Sequence, residues 1–312
     1  MWTKNEMPDQ TGKTVLVTGA NSGIGFETAL AFYETGAHVV VASRDAAKVE
    51  EAIKKMKAVG GSGTLEGEIL DLASLNAVNV FADAFTGKHH HLHILVNNAG
   101  VMTPPASRTE DGFERQFGVN FLGHFALTGY LYPLLKQTPG ARVVTLSSGA
   151  HKLVDAIDFE NLRFEKSYDA NRAYAVSKLA DLQFALELQR WFEKTGDPVL
   201  STAAHPGVTQ TDLSRHMSED TLKAALAHFK HLMPAWQGAL PTLFAATSPT
   251  VKGGDYYGPD GENELVGYPA PAQLSAAARN EAAAKTLWAY AQRVTGLSYP
   301  TADSSNGSDR MS

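Results

Sequence analysis

Short β-branched runs alternate with stretches of helical spacing along most of the chain. Thr14–Thr18, His38–Ala42, Ile94–Asn97, Arg142–Ser148 and Val199–Ala203 are apolar runs too short for buried helices, and they read as buried strands. A further strand is expected where Leu65, Gly67 and Ile69 alternate with Glu66 and Glu68, ending at Asp71-Leu72. Between the strands, apolar residues recur at three and four positions. Phe26, Ala29, Leu30 and Tyr33 form one such face, stopped by Gly36. Val49, Ile53 and Met56 form a second behind Asp45 as N-cap, and Val78, Phe81, Ala82 and Phe85 a third behind Ser74. Thr109, with Glu110 and Asp111 in its first turn, predicts a helix start that runs through Asn120 toward Pro133. Tyr174, Lys178, Leu179, Leu182, Leu186 and Gln189 mark a long helix, and Gln237–Thr247 and Ala276–Val294 two more. Residues 151–171 are irregular, and Gly253–Gly258 reads as a short edge strand. Strands and helices taking turns imply an α/β fold around a parallel sheet.

With no repeat and no linker, residues 1–300 read as one domain. Leu213, Met217, Leu226, Phe229, Leu232, Met233 and Trp236 lie among polar residues between 208 and 236. That pattern fits both an amphipathic helix packed on the core and a lid over an apolar substrate. Residues 301–312 are polar, as expected of a disordered tail. At 44% hydrophobic and 19% charged, the 312 residues have an ordinary globular composition. A net charge of −6 and the lack of a long basic run argue against a nucleic-acid surface. Zero cysteines exclude disulfides, thiol catalysis and thiolate metal sites. Neither an apolar leader nor a membrane-spanning run is visible, so a cytoplasmic protein is expected.

Candidate chemistry begins at Gly19-Ala-Asn-Ser-Gly23-Ile-Gly25, where strand, glycine loop and helix follow directly. Such a loop lets backbone N–H groups approach a pyrophosphate at a helix N-terminus, although the spacing departs from G-x-G-x-x-G. At the end of the second strand, Ser43-Arg44 stands where NAD-binding folds tend to place an acid. An arginine there pairs with a 2′-phosphate and favours NADP(H), with NAD(H) possible. The alternative is a solvated Arg44 and an acid role for Asp45. Tyr174 and Lys178 lie one helical turn apart, and an ammonium fixed beside a phenol favours the phenolate. Asn120 sits inside an apolar stretch, where its amide needs partners. His89, His90, His91 and His93 form a turn with no carboxylate among them, so no metal site is expected there.

Taken together, Thr18–Gly25, Asp71-Leu72, Asn97-Asn98-Ala99-Gly100, Asn120, Ser147-Ser148, Tyr174-x-x-x-Lys178 and Pro206-Gly207 resemble, in order, the short-chain dehydrogenase/reductase family. The resemblance covers roughly residues 10–250. Ser43-Arg44-Asp45, Val119–Phe125 and Ser147–His151 are similar to its retinol-dehydrogenase-like branch, which includes relatives of protochlorophyllide reductase, although the membrane anchor of many animal members is missing. It implies a single-domain Rossmann-type, doubly wound parallel sheet and a nicotinamide-dependent oxidoreductase acting on a carbonyl/alcohol pair. By the resemblance, Tyr174 is the acid–base, Lys178 supports it and holds the nicotinamide ribose, and Ser148 binds the carbonyl oxygen. Asn120 anchors a proton-relay water. Gly19, Asn21, Ser22, Gly23, Ile24 and Gly25 meet the pyrophosphate side, and Ser43 and Arg44 the phosphate-bearing ribose. Asp71-Leu72 face the adenine, and Asn97, with Ala99 and Gly100, the adenosine ribose. Thr209 and Thr211, after Pro206-Gly207, hold the nicotinamide amide. The implied substrate is lipophilic, the favoured direction reductive, and the oligomer a dimer or tetramer through the helices bearing Asn120 and Tyr174. The alternative is a nucleotide-binding regulatory protein that has lost catalysis.

Overall fold

The computed structural model describes residues 1–210 and 232–300. Eight strands form one sheet in the order β3-β2-β1-β4-β5-β6-β7-β8. They are β1 (Thr14–Thr18), β2 (His38–Ser43), β3 (Thr64–Ile69), β4 (Ile94–Asn97), β5 (Arg142–Leu146), β6 (Leu200–Ala204), β7 (Tyr256–Pro259) and β8 (Pro269–Pro271). Neighbours from β3 through β7 are parallel, and only β8 runs antiparallel. The chain steps outward from β1 on both sides, so the strand order reverses between β1 and β4. That is where an open α/β sheet leaves a crevice at the carboxyl ends of its strands.

Strand alternation divides the core between the two faces of the sheet. Leu16, Val40, Leu95 and Val143 pack on one side with α3 (Leu75–Lys88), α4 (Gly123–Gln137) and α5 (Ala170–Thr195). Val15, Val17, Val39, Val41, Ile94 and Val144 pack on the other with α1 (Gly23–Glu34) and α2 (Ala46–Val59). Asp45 and Ser74 cap α2 and α3 as their sequence positions imply, accepting from Lys48 N and Ala77 N.

Four expectations change. Thr109 does not start a helix. Its N–H and Oγ1 close a tight turn onto Phe113, passing through Gly112 at a φ of 82°. Asp111 is thereby freed to cap α3, accepting from Leu75 N at 3.0 Å. The strand expected at the sheet edge near Gly253–Gly258 is β7, which is covered by β8. The helix expected over Gln237–Thr247 is two pieces, α6 (Ala235–Gly238) and α7 (Leu240–Thr247). The last helix is also divided, into α8 (Ala276–Arg279) and α9 (Glu281–Thr295), because Asn280 leaves the helix and caps α9 through Ala283 N. Residues 211–231, most of the expected lid, and residues 301–312, the expected tail, lie outside the described residues.

Candidate active site

A cleft opens at the β1/β4 switch, lined by Gly19, Asn21, Ser22, Gly23, Ile24 and Gly25, by Ser43 and Arg44, and by Asp71, Leu72, Ala99, Gly100, Tyr174, Lys178 and Pro206. The loop after β1 is held by backbone contacts that only glycine permits. Gly19 has a φ of 67°, and a Cβ on Gly25 would come within 2.4 Å of both Gly19 O and Asn98 Nδ2. Asn98 Nδ2 in turn donates to Thr18 O at 2.7 Å and ties this loop to the end of β4. The result is a cradle of main-chain groups at the N-terminus of α1, suited to a pyrophosphate.

At the far end of the cleft, the Asp45 carboxylate is committed as the α2 cap. Arg44 is exposed and makes no ion pair among the described residues, and Lys48 lines the cleft beside it. Asp71 Oδ1 accepts from Ala73 N at 2.9 Å, which fixes the turn that carries Leu72 under the cleft.

The inner end is built by α5. Asp169 caps it through Arg172 N, and its first turns carry Tyr174 and Lys178 under the carboxyl end of β5. Lys178 is 5% exposed, and its Nζ donates to Leu146 O at 2.9 Å and to Asp181 Oδ2 at 2.8 Å. One N–H remains for the cleft that it lines, 5.9 Å from the centre of the Tyr174 ring. Burial by itself would lower the lysine's pKa. The Asp181 and Tyr174 charges outweigh that cost and lift it above the ordinary value. Burial raises the Asp181 carboxyl to about 6.

The two serines after β5 divide the work. Ser147 is buried and donates to Lys178 O at 2.8 Å, so its hydroxyl is spent on α5. Ser148 accepts from Ala150 N and is half-buried, which leaves its O–H free to donate. Asn120 occupies a π turn, Phe117–Leu122, a one-residue bulge of a kind often found at functional sites. Both N–H groups of its side chain are used. Oδ1 accepts from Val101 N at 2.8 Å, while Nδ2 donates to Val101 O at 3.1 Å and to Ser177 Oγ at 2.9 Å. Its main-chain carbonyl accepts from His124 Nδ1 at 2.7 Å.

Some expected contacts fall elsewhere. Asn97 shares the parity of Leu95, so its side chain turns away from the cleft and donates to Thr128 Oγ1 on α4. Asn98 is the amide that lines the cleft instead. Gly207, at a φ of 67°, packs against Leu265 O, and Thr209 Oγ1 donates to Pro206 O. Thr211 lies outside the described residues. Two functional candidates had no sequence signal of their own. Asp181 is visible only as an acid three positions after Lys178. His124 Nε2 meets Thr18 Oγ1 at 2.8 Å and so links the glycine loop to the Asn120 turn. Burial lowers the His124 pKa to about 4, which keeps it neutral. Its Nδ1–H then serves Asn120 O, and Nε2 accepts from Thr18.

This fold and this cleft define a dinucleotide-dependent oxidoreductase, and the chain belongs to the short-chain dehydrogenases. The family model described as short chain dehydrogenase matches residues 13–222. Among curated relatives, polyprenol dehydrogenase of Mus musculus is 41% identical, covering 93% of this chain and 86% of its own length. Retinol dehydrogenase 11 of Homo sapiens is 40% identical, with 92% and 86% covered. Among solved structures, an uncharacterised protein from Mycobacterium paratuberculosis superposes with a TM-score of 0.80 at 37% identity, covering 96% of this chain and 99% of that one. The RhlG/NADP active-site complex of Pseudomonas aeruginosa superposes with a TM-score of 0.64 at 25% identity, with 79% and 94% covered. Membership makes the protein an NAD(P)-dependent enzyme of CH–OH and C=O groups.

Proposed function

We propose that the protein is an NADP(H)-preferring oxidoreductase that reduces a carbonyl of a lipophilic small molecule in the cytoplasm. The observation that carries this is the buried Lys178 beside Tyr174, opening onto a glycine cradle with an arginine at its far end that pairs with no acid among the described residues. NADPH supplies the hydride. Gly19 through Gly25 hold its pyrophosphate, and Arg44 with Lys48 meets the 2′-phosphate, since Asp45 is occupied as a helix cap. Lys178 offers its remaining N–H to the nicotinamide ribose.

Ser148 donates to the substrate oxygen, where negative charge builds as the carbonyl is reduced. Tyr174 gives its hydroxyl proton to that oxygen, and the Lys178 ammonium stabilises the phenolate left behind. Lys178, with one N–H directed to the cleft, would hold the nicotinamide ribose and could hand a proton on toward Tyr174, while Asn120 O could accept from a water beside Lys178. The relatives named retinol and polyprenol dehydrogenases support a lipophilic class.

The test is NADPH oxidation with a panel of long-chain and aromatic aldehydes and ketones, run on wild type and Tyr174→Phe. Loss of a general acid typically costs about 10²–10⁴ in rate. The variant should lose turnover on that scale while still binding NADPH; unchanged turnover would remove Tyr174 from its role. Arg44→Ala should weaken NADPH far more than NADH. Equal weakening of both would show that Arg44 does not read the phosphate.

A further inference from the structure

The four histidines between α3 and β4 are not used by the cleft. The fold separates them. His90 and His91 are exposed, while His89 turns back at the end of α3, its ring 4.3 Å from that of Phe85 and its N–H on Phe85 O. There it meets His38, the first residue of β2, and Glu66 on the edge strand β3. The carboxylate missing from the histidine run in sequence is thus delivered by a neighbouring strand.

The three side chains converge on one point. His38 Nε2 lies 3.1 Å and His89 Nε2 lies 3.5 Å from the same oxygen, Glu66 Oε2. These three donor atoms all lie within 4.8 Å of one another, the one such group among the described residues. Ligands about 2.0–2.1 Å from a tetrahedral zinc ion sit about 3.3 Å apart, between the two observed spacings. His89 Nε2 is buried and, among the described residues, makes no hydrogen bond, with the Glu66 carboxylate 3.5 Å away as its nearest polar neighbour.

Outer contacts already orient the ligands. His38 Nε2 is hydrogen-bonded to Glu66 Oε2 at 3.1 Å and Nδ1 is 2.7 Å from Thr64 Oγ1, so an ion at this point would displace the Nε2 proton, with Thr64 then accepting from Nδ1–H. Lys88 approaches the other carboxylate oxygen, Oε1, at 3.6 Å and also pairs with Glu68, which leaves Oε2 to the two imidazoles. The side chains of His38 and Glu66 are 33% and 27% exposed, which leaves room for a water as fourth ligand.

We propose that His38, Glu66 and His89 form a zinc-class binding site that clamps the edge strand β3 and β2 to the end of α3. His38 opens β2, so the site lies at the amino ends of the strands, across the sheet from the nucleotide cleft. Its role is structural, and it stands or falls independently of the proposed activity.

The experiment is calorimetric titration of ZnCl2 into chelator-treated full-length protein, with melting curves taken with and without zinc. Wild type should bind one equivalent that His38→Ala and His89→Ala each remove or weaken at least tenfold. Zinc should raise the Tm of wild type but not of these variants. The double variant His90→Ala/His91→Ala should behave as wild type. Glu66→Gln, which keeps the shape of the side chain, guards against a folding defect and should weaken the same step. Co2+ at one equivalent should show the visible bands of a tetrahedral ion in wild type only. Wild type without a one-equivalent step, or a step of unchanged affinity in His38→Ala, His89→Ala and Glu66→Gln, overturns the site.

Discussion

Lys178 has to stay charged inside the protein, and Asp181 is the residue that makes this possible. An ammonium this deeply buried loses its hydration, and removing its partner outright leaves an unpaired charge at a cost of about 3–5 kcal/mol. Asp181→Ala should therefore be destabilised on that scale in a denaturant melt. Asp181→Asn is the more informative change, because it keeps the shape and removes the charge that lifts the Lys178 pKa. Lys178 would then lose its proton at lower pH, so the alkaline limb of kcat/KM for carbonyl reduction should move to lower pH. A profile with an unmoved alkaline limb would make Asp181 structural only. His124 carries a second pH signature. Its folded pKa of about 4 lies below the ordinary 6.5, so the unfolded chain binds the extra proton between those values. The stability it contributes is complete above pH 6.5 and is lost as pH falls toward 4, about 3 kcal/mol in all at 1.36 kcal/mol per unit. In His124→Gln the fall in unfolding free energy from pH 6.5 to 4 should be smaller by about that amount. Equal slopes would mean that the imidazole does not titrate with folding.

Among the elements, the glycine loop makes the strictest demand. Gly25→Ala places a methyl 2.4 Å from Gly19 O, a main-chain atom, and from Asn98 Nδ2, which its hydrogen bond to Thr18 O holds in place. Overpacking of this kind costs about 1–3 kcal/mol, and the loop must shift to absorb it. NADPH titration should show weakened binding together with a lower Tm; native affinity would show that the loop tolerates the side chain. Much of this level was legible in the sequence, because strand runs, caps and the Tyr174-x-x-x-Lys178 spacing are local signals. Asp45 and Ser74 cap the helices that their positions imply. The errors arose where a distant partner decides. Thr109, Glu110 and Asp111 look like a helix start, yet Asp111 is needed at α3 and Gly112 turns the chain. Asn97 looks equivalent to Asn98 as an amide, but strand parity turns it toward α4. The Asn120 turn and the Lys178–Asp181 pair depend on three-dimensional contacts that no spacing rule records.

For the whole molecule, the C-terminal segment lies on the helix pair through which assembly is expected. Dimerisation through α4 and α5 requires their outer faces to be open. Instead Tyr299 OH donates to Phe125 O at 2.8 Å, Trp288 stacks on Phe184 and Trp191, and Leu297 packs over Gly129. We propose that this chain covers the helix pair itself and does not dimerise through it. Light scattering should show that deleting residues 281–300 induces self-association absent from the full chain. A full-length dimer cross-linked through Tyr130 and Trp191 would contradict this. Among the described residues no helix is long and apolar enough to cross a membrane. Whether this cleft moves a hydride from NADPH to a carbonyl carbon under Tyr174 is read most directly by mass spectrometry of the alcohol formed from a turned-over aldehyde with NADPH deuterated at the transferring C4 position. Wild type should give one deuterium per product molecule, and Tyr174→Phe should form the labelled alcohol about 10²–10⁴ times more slowly; unlabelled alcohol from wild type, or labelled alcohol formed at the wild-type rate by the variant, would contradict this.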